Sequence, residues 1–556
     1  MGYGFTGKIL RVDLTYQSTR VETFDEAFYR LYAGGKALAG YFLLRELTPH
    51  TEPLDPENLL VLATGLLTGA PFSTATRFTA AARSPLTRAY GESEAAGYWG
   101  PELKMAGYDA IVITGRAAQP VYLWIHDDKV EIRDARHVWG RDPLEVQETI
   151  RAAHGDKLIR VLQIGIGGEN LVRFAALTNE LRHFNGRNGI GAVMGSKNLK
   201  AIAVRGSGRY TDLVHAPKPF ADLGRALAKR VKEHPQSWDL QNKGTPGLVD
   251  GLNAAGILPT RNFHQGAFDD VDKVRWAAYE KELLTARRSC YACAVRCKRE
   301  VRLNDQVSEY GGPEYETLDS LGPNCGIGDL LAEGTRRAAE VIGGDARYFA
   351  MQVKGQELPM HDPRGKVGVG LGYAISEIGA DHLTSVHDPM IANPESAGFK
   401  GAAALGIEAI PPRELSDRKA RNYYILENWN SAEKVLGLCF FGPTPRSFIQ
   451  VDEVVSMVRA ATGWDVTAQD ILRIGERATN LARAFNVREG FTRTDDTLPE
   501  RLLQPLENGA LAGVAIPKAE FEQTLTALYR LKGWNPETGA PTREQLRELG
   551  VEWAVE

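Results

Sequence analysis

Cysteine is scarce in this sequence, with five among 556 residues. So few, spread over so long a chain, do not form the framework of a disulfide-stapled secreted protein. An excess of one charge is missing too. The formal net charge is −4 and the pI about 6.3, which gives no electrostatic footprint for nucleic acid or an anionic membrane. Long apolar runs are also absent: the longest, "NLLVLATGLLTGAPF" (58–72), is too short and too glycine-rich to span a bilayer. The opening "MGYGFTGKILRVDL" lacks the charged-then-apolar pattern of a secretory signal. What remains is 43% hydrophobic and 24% charged, the balance of an ordinary globular protein. The expectation is a cytoplasmic chain with reduced thiols, long enough for two to four domains.

The first two hundred residues read as strands. In "KILRVDL", Leu10, Val12 and Leu14 alternate with Arg11 and Asp13, the period of a half-buried strand. "AIVITG" (110–115), "AIAVRG" (201–206) and a hairpin-like "VYLWIHDDKVEIRD" (121–134) continue the theme. Glycine, serine and proline gather at 206–219, and beyond them the pattern turns helical. Phe220, Leu223, Leu227 and Val231 share one helical face, as do Phe521, Leu525, Leu528 and Leu531 before Gly533. A weaker break lies at 393–415. The "IGIGGEN" stretch (164–170) hints at a dinucleotide loop but lacks the third glycine and a convincing following helix. The fold class is therefore α+β, a β-rich N-terminal domain followed by a largely helical remainder.

Three of the five cysteines stand together in "RRSCYACAVRCKRE" (287–300) as Cys-x-x-Cys-x-x-x-Cys. On a helix or tight turn, Cys290, Cys293 and Cys297 project to one side. An iron–sulfur cubane needs that convergence, because each iron takes one soft sulfur ligand. The basic flank, Arg287, Arg288, Arg296, Lys298 and Arg299, suits an anionic cluster. Structural zinc is the rival, but zinc ribbons bring a second Cys-x-x-Cys pair, and none exists here. Unliganded buried thiols are the bland reading. Spacing leaves two candidates for a fourth ligand, Cys325 in "SLGPNCGIGD" and Cys439 in "KVLGLCFFG".

Beyond the cysteines, several stretches in a fixed order carry a resemblance. They include "GFTGKILRVDL", "SPLTRAYGESEAAGYWGPELKMAGYDAIVITG", "GRNGIGAVMGSKNLKAIAVRG", "GPEYETLDSLGPNC", "GYAISEIGADHL", "LGLCFF" and "FNVREGFTRTDDTLPERL". With them the chain resembles the tungsten- and molybdenum-dependent aldehyde:ferredoxin oxidoreductase family, nearly end to end. The resemblance implies a β domain over residues 1–206 that cradles the cofactor. It implies two helical domains, 207–390 with the clustered cysteines and 391–556 with the last cluster ligand. The implied cofactors are one tungsten or molybdenum held by two pterin dithiolenes, with a phosphate-bridging magnesium, and a nearby [4Fe–4S] cluster. Cys290, Cys293, Cys297 and Cys439 are the cluster ligands on this reading. Arg77 and Arg187 match positions that contact the cofactor, and guanidinium forks suit phosphates and ring carbonyls. Gly189 and its neighbours let backbone N–H groups approach the same anion. Proton handling needs a carboxylate and an imidazole. "GPEYET" offers Glu314 and Glu316, with Glu314 preferred, and "GADHL" offers His382, with His361 and His387 as competitors.

The implied reaction oxidises an aldehyde to the carboxylic acid with water as oxygen source, two electrons leaving singly through the cluster to ferredoxin. A homodimer is a further expectation from the family. Ketones, acids and CoA esters are alternative substrate classes. Two departures bear on this. The family carries several dozen more residues after position 328, including a pterin contact, so this chain is a shortened member. Lys434 also stands where the family has a pterin-binding aspartate, which turns an acceptor into a donor. Both favour an alternative function: a degenerate member that keeps only the [4Fe–4S] cluster as an electron-transfer subunit.

Overall fold

The computed structural model describes residues 3–303, 306–321, 334–384 and 387–555. Its N-terminal part is built on two six-stranded sheets. The first holds β1 (Lys8–Asp13), β2 (Ser18–Thr23), β3 (Leu60–Thr64), β4 (Phe78–Arg83), β5 (Tyr90–Ala95) and β6 (Ala110–Thr114), in the order β2-β1-β6-β3-β4-β5. Only β1 and β6 run parallel, with Leu10 opposite Ile111. The second holds β7 (Val121–His126), β8 (Lys129–Asp134), β9 (Arg160–Ile164), β10 (Leu177–Asn179), β11 (His183–Asn185) and β12 (Leu199–Arg205), ordered β11-β10-β9-β12-β7-β8. The expected hairpin at 121–134 is there as β7 and β8, antiparallel with His126 opposite Lys129.

The two sheets pack face to face. Leu10, Leu62, Phe78 and Ile111 from the first meet Leu123, Leu162 and Ile202 from the second in one core. The outer faces are covered as well. Ile9, Val61, Ala81 and Val112 pack against the helix Gly35–Glu46 and against Leu481 and Phe485. Tyr122, Trp124, Val161 and Ala203 pack against Val146 and Ile150 of the helix Pro143–His154. The alternation expected in β1 is present, with Leu10, Val12 and Leu14 buried and Arg11 and Asp13 part-exposed, and Ile9 adds a buried residue on the outer face. Sheets buried on both faces read as continuous apolar runs, which is the pattern of "LVLAT" and "AIVIT".

Helices dominate after residue 206. Ser416 caps the helix Asp417–Leu436 by accepting from the Lys419 N–H, and Gly437 ends it at φ 77°, where only glycine is free of strain. Its partner Ala468–Arg488 begins with a Thr467/Asp470 capping box. The two come so close that Gly475 has no room for a side chain: a Cβ there would lie 1.9 Å from the Asn428 carbonyl oxygen. In the helix Lys518–Leu531 the expected face is buried at Phe521, Leu525 and Leu528, but Leu531 in the last turn is exposed. No helix among the described residues is long and apolar enough to cross a membrane.

Candidate active site

The clustered cysteines lie in a loop of turns between the strands Leu284–Arg288 and Lys298–Leu303, not on a helix. Ala292 and Arg296 take left-handed backbone angles (φ 49° and 51°), which folds the loop back so that the thiols converge. The loop is tied to the β domain by two hydrogen bonds. Tyr291 N–H donates to the Gly97 carbonyl at 3.2 Å, and Ala294 N–H donates to the Ser73 hydroxyl at 3.1 Å. Cys439 arrives from the other side. The segment after helix Asp417–Leu436 pairs with residues 66–77 through Leu67 N–H to Leu436 O (2.8 Å), Arg77 N–H to Gly437 O (3.0 Å) and Cys439 N–H to Thr74 O (2.8 Å). Gly65 and Gly437 permit this crossing, since a Cβ on Gly65 would sit 2.1 Å from the Gly437 nitrogen.

The four thiols feel one another's charge. Burial, then the fields of Cys293 and Cys439, push the Cys290 thiol up to about 12. Burial raises Cys293, with Cys439 adding, and holds Cys297 well above its usual range, with Cys290, Glu314 and Cys439 adding. Cys290, Cys293 and Cys297 so held become thiolates only against a positively charged centre, and with Cys439 beside them they fit a metal cluster. Cys325 falls outside the described residues. One neighbour was not singled out in the sequence: His183, buried, puts Nδ1 3.9 Å from Cys290 Sγ. Lys298 of the basic flank donates to Glu314 at 2.8 Å. A lone histidine carries no signal that would have marked it.

Arg77 sits beside this centre. Its Nη2 lies 3.6 Å from Cys439 Sγ, its Nη1 3.5 Å from Glu94, and its guanidinium 4.8 Å over the Phe440 ring. Arg187 uses one Nη to donate to the carbonyls of Glu357 (2.7 Å) and Ala380 (2.6 Å), which fixes the chain just before Asp381 and His382. Gly189 has a packing reason to be glycine: its φ is 69°, and a Cβ would meet the Arg173 carbonyl oxygen at 1.8 Å.

Glu314 and Glu316 go separate ways. Glu314 turns toward the cysteines, bound by Lys298 and the Thr245 hydroxyl. Glu316, on the helix Tyr315–Leu321, faces His382, with 3.6 Å between Oε1 and Nε2. Glu316, His361 and His382 each bring a ligand atom within 4.8 Å of the others. Behind them Lys366 Nζ lies 3.1 Å from His361 Nδ1 and 3.3 Å from His387 Nδ1. Burial lowers His382 to about 3, with Asp381 opposing and Arg187 and Arg446 adding, so it is neutral at pH 7. Burial raises the Glu316 carboxyl above its ordinary value.

Lys434 is buried and donates to Glu92 Oε1 at 2.6 Å. Lys36 lies 3.8 Å from the same carboxylate and donates to Glu377. Burial works against the Lys434 charge, but Glu92, Asp381 and Glu94 outweigh it and raise its pKa. Around this network several buried polar atoms have no protein partner: Nε of Arg77, Nε of Arg187, Nδ1 of His382 and Oε2 of Glu92. Buried donors and acceptors are rarely left so, and together they fit a polar, anionic cofactor.

A four-thiol centre with Arg77 against it, together with an imidazole–carboxylate pocket backed by Arg187, is the arrangement of a metal-dependent oxidoreductase. Residues 9–206 match the N-terminal domain of aldehyde ferredoxin oxidoreductase, and residues 222–330 and 326–551 match its domains 2 and 3. The chain belongs to the aldehyde ferredoxin oxidoreductase family. It is 36% identical over 626 aligned positions to the tungsten-containing aldehyde ferredoxin oxidoreductase of Pyrococcus abyssi (strain GE5 / Orsay), covering 99% of both chains. It is 28% identical to the aliphatic sulfonate oxidoreductase, WOR-like subunit, of Pyrococcus furiosus, covering 99% of this chain and 97% of that one. Among solved structures, the active site complex BamBC of benzoyl coenzyme A reductase superposes with a TM-score of 0.81 at 24% identity. It covers 100% of this chain and 98% of that one, a likeness of fold. The two matches to domains 2 and 3 meet at 326–330, where the sequence places the lost segment.

Proposed function

We propose that the protein oxidises an aldehyde to its carboxylic acid at a tungsten or molybdenum bis-pterin centre. Electrons then pass through a [4Fe–4S] cluster to ferredoxin. The observation that carries this reading is the meeting of Glu316 with His382 at 3.6 Å, close to the orphaned nitrogen of Arg187. Cys290, Cys293, Cys297 and Cys439 hold the cluster. Arg77, Arg187 and Lys434 hold the pterin cofactor, whose metal supplies a Lewis acid and a two-electron sink when bound.

The remaining chemistry belongs to the chain's own groups. His382 is neutral, so its imidazole can donate one hydrogen bond to the aldehyde oxygen without giving up a full proton. Glu316 accepts the proton from the attacking water, and its raised pKa makes it a better base than an ordinary carboxylate. Lys366 Nζ, 3.1 Å from Nδ1 of His361, holds that ring in place behind His382. Arg77 lies against Cys439 and keeps a buried Nε without a protein partner, an N–H that would be available to hold the cofactor.

The test is anaerobic purification, metal analysis per chain and an aldehyde screen with a viologen dye. About four irons with one tungsten or molybdenum, and aldehyde-dependent dye reduction, are expected. Four irons without the heavy metal would leave the cluster-only electron carrier. One zinc without iron would remove both readings.

A further inference from the structure

Outside the thiol centre the surface carries a cleft of about 450 Å³ that the chemistry above does not use. Arg151, Arg160, Arg182, Arg287, Arg288 and Arg296 line it, against the two carboxylates of Glu180 and Glu309. Arg288 and Arg182 share a further carboxylate, Glu300, while Arg287 and Arg296 are exposed. Burial pushes the Glu180 carboxyl up to about 7, so it cancels less than one arginine charge. The cleft is thus strongly positive on a protein whose net charge is −4. Its floor includes His183 and Ser289. His183 lies 3.9 Å from Cys290 Sγ, and Ser289 is the residue before that cysteine in the chain.

We infer that this arginine cleft is the docking surface for a small acidic one-electron carrier protein, and that electrons leave the cluster on its Cys290 side. This rests on the four cysteines holding a redox cluster. One electron leaves the reduced cluster and the carrier's centre gains it, without bond or proton transfer. A positive patch whose lining reaches His183 and Ser289, the neighbours of Cys290, does two things. It draws a negatively charged carrier to a surface beside the cluster ligands, and it rejects cationic partners. Residues in the cleft, not in the catalytic pocket, set the partner.

The experiment uses the purified holoprotein with its cluster reduced by dithionite, mixed in stopped flow with oxidised flavodoxin, an acidic carrier whose flavin bands report the transfer. The wild-type rate should fall by at least tenfold between low salt and 0.5 M salt, because screening shortens the reach of the patch. Arg287→Glu combined with Arg296→Glu should lower the low-salt rate at least tenfold and flatten the salt dependence. Arg287→Lys with Arg296→Lys should restore both. Equal low-salt rates for the wild type and the double glutamate variant would overturn the proposal. Iron content and viologen reduction are read on the same samples, so a misfolded variant is recognised. Loss of aldehyde activity in the wild type would count against the enzyme reading and leave the docking result standing.

Discussion

At the scale of single residues, the site separates two carboxylates that the sequence could not. Glu314 and Glu316 are two positions apart, and spacing gave no reason to choose; the preference fell on Glu314. The short helix from Tyr315 turns Glu316 toward His382, while Glu314 is held by Lys298 and Thr245. Glu316→Gln should therefore lower kcat for aldehyde oxidation by about 10²–10⁴, the usual worth of a positioned base. Glu314→Gln should retain most of kcat and change the cluster's reduction potential through Lys298 instead. Dye-linked assays on the two variants, with a redox titration of the cluster, decide this; equal loss of kcat would refute the assignment. Lys434 makes a second case. Its ion pair with Glu92 is buried, so Lys434→Met should destabilise the fold by about 1–3 kcal/mol by removing the hydrogen-bonded cation and leaving Glu92 with Lys36 alone, 3.8 Å away. Adding Glu92→Gln should recover a large part of that loss in thermal or urea unfolding.

At the scale of elements, the strands were readable because the period of two survives in β1, and the hairpin β7–β8 is marked by its β-branched and aromatic residues and a polar turn. Burial on both faces was not readable, because it depends on which helices cover the outer face. The clustered cysteines could be placed on a turn, yet their convergence depends on left-handed angles at Ala292 and Arg296, which those residue types do not announce. Cys439 could be singled out from Cys325 only through the resemblance; its delivery depends on backbone pairing with residues 66–77. The charge network was out of reach for the same reason. Lys36 and Glu377 stand 341 positions apart, and Lys434 and Glu92 stand 342 apart. No local pattern joins such pairs. The element that positions Cys439 is the helix Asp417–Leu436, locked to Ala468–Arg488 at Gly475. Gly475→Ala puts a methyl against backbone and should cost about 1–3 kcal/mol. Because the displaced helix carries Cys439 at its end, iron content should fall along with the unfolding midpoint. A stable variant with full iron would show that the helices slide without disturbing the cluster.

At the scale of the whole molecule, the protein keeps an unusual number of titratable groups in their uncharged form. Burial holds His183, His361 and His387 well below the ordinary imidazole range and His382 at about 3. In the unfolded chain the same imidazoles take up protons near pH 6.5. Between about pH 6.5 and 3 these four imidazoles therefore bind more protons in the unfolded chain, and their contribution to stability falls as pH falls through that window, against the opposite contribution of raised carboxyls such as Glu180 and Glu433. Burial also lowers Lys366 to about 7, with Asp362 and Asp388 opposing. Its native form sheds a proton that the unfolded chain keeps to about pH 10.4, so stability climbs further above neutrality. The thiols run the other way in alkali. Their native pKa values are raised, so without a metal the unfolded chain ionises first and stability falls above about pH 8.5. A bound cluster replaces those protons and removes this alkaline loss. The cluster-loaded protein should thus stay stable above pH 8, where its thiols have no protons to lose. The cluster-free protein should peak near pH 8 and decline. Urea midpoints of both forms at half-unit intervals from pH 5 to 10 test this, and His387→Gln should flatten the acid limb by removing one buried imidazole. Identical alkaline limbs for the two forms would mean that the four thiols do not hold the cluster.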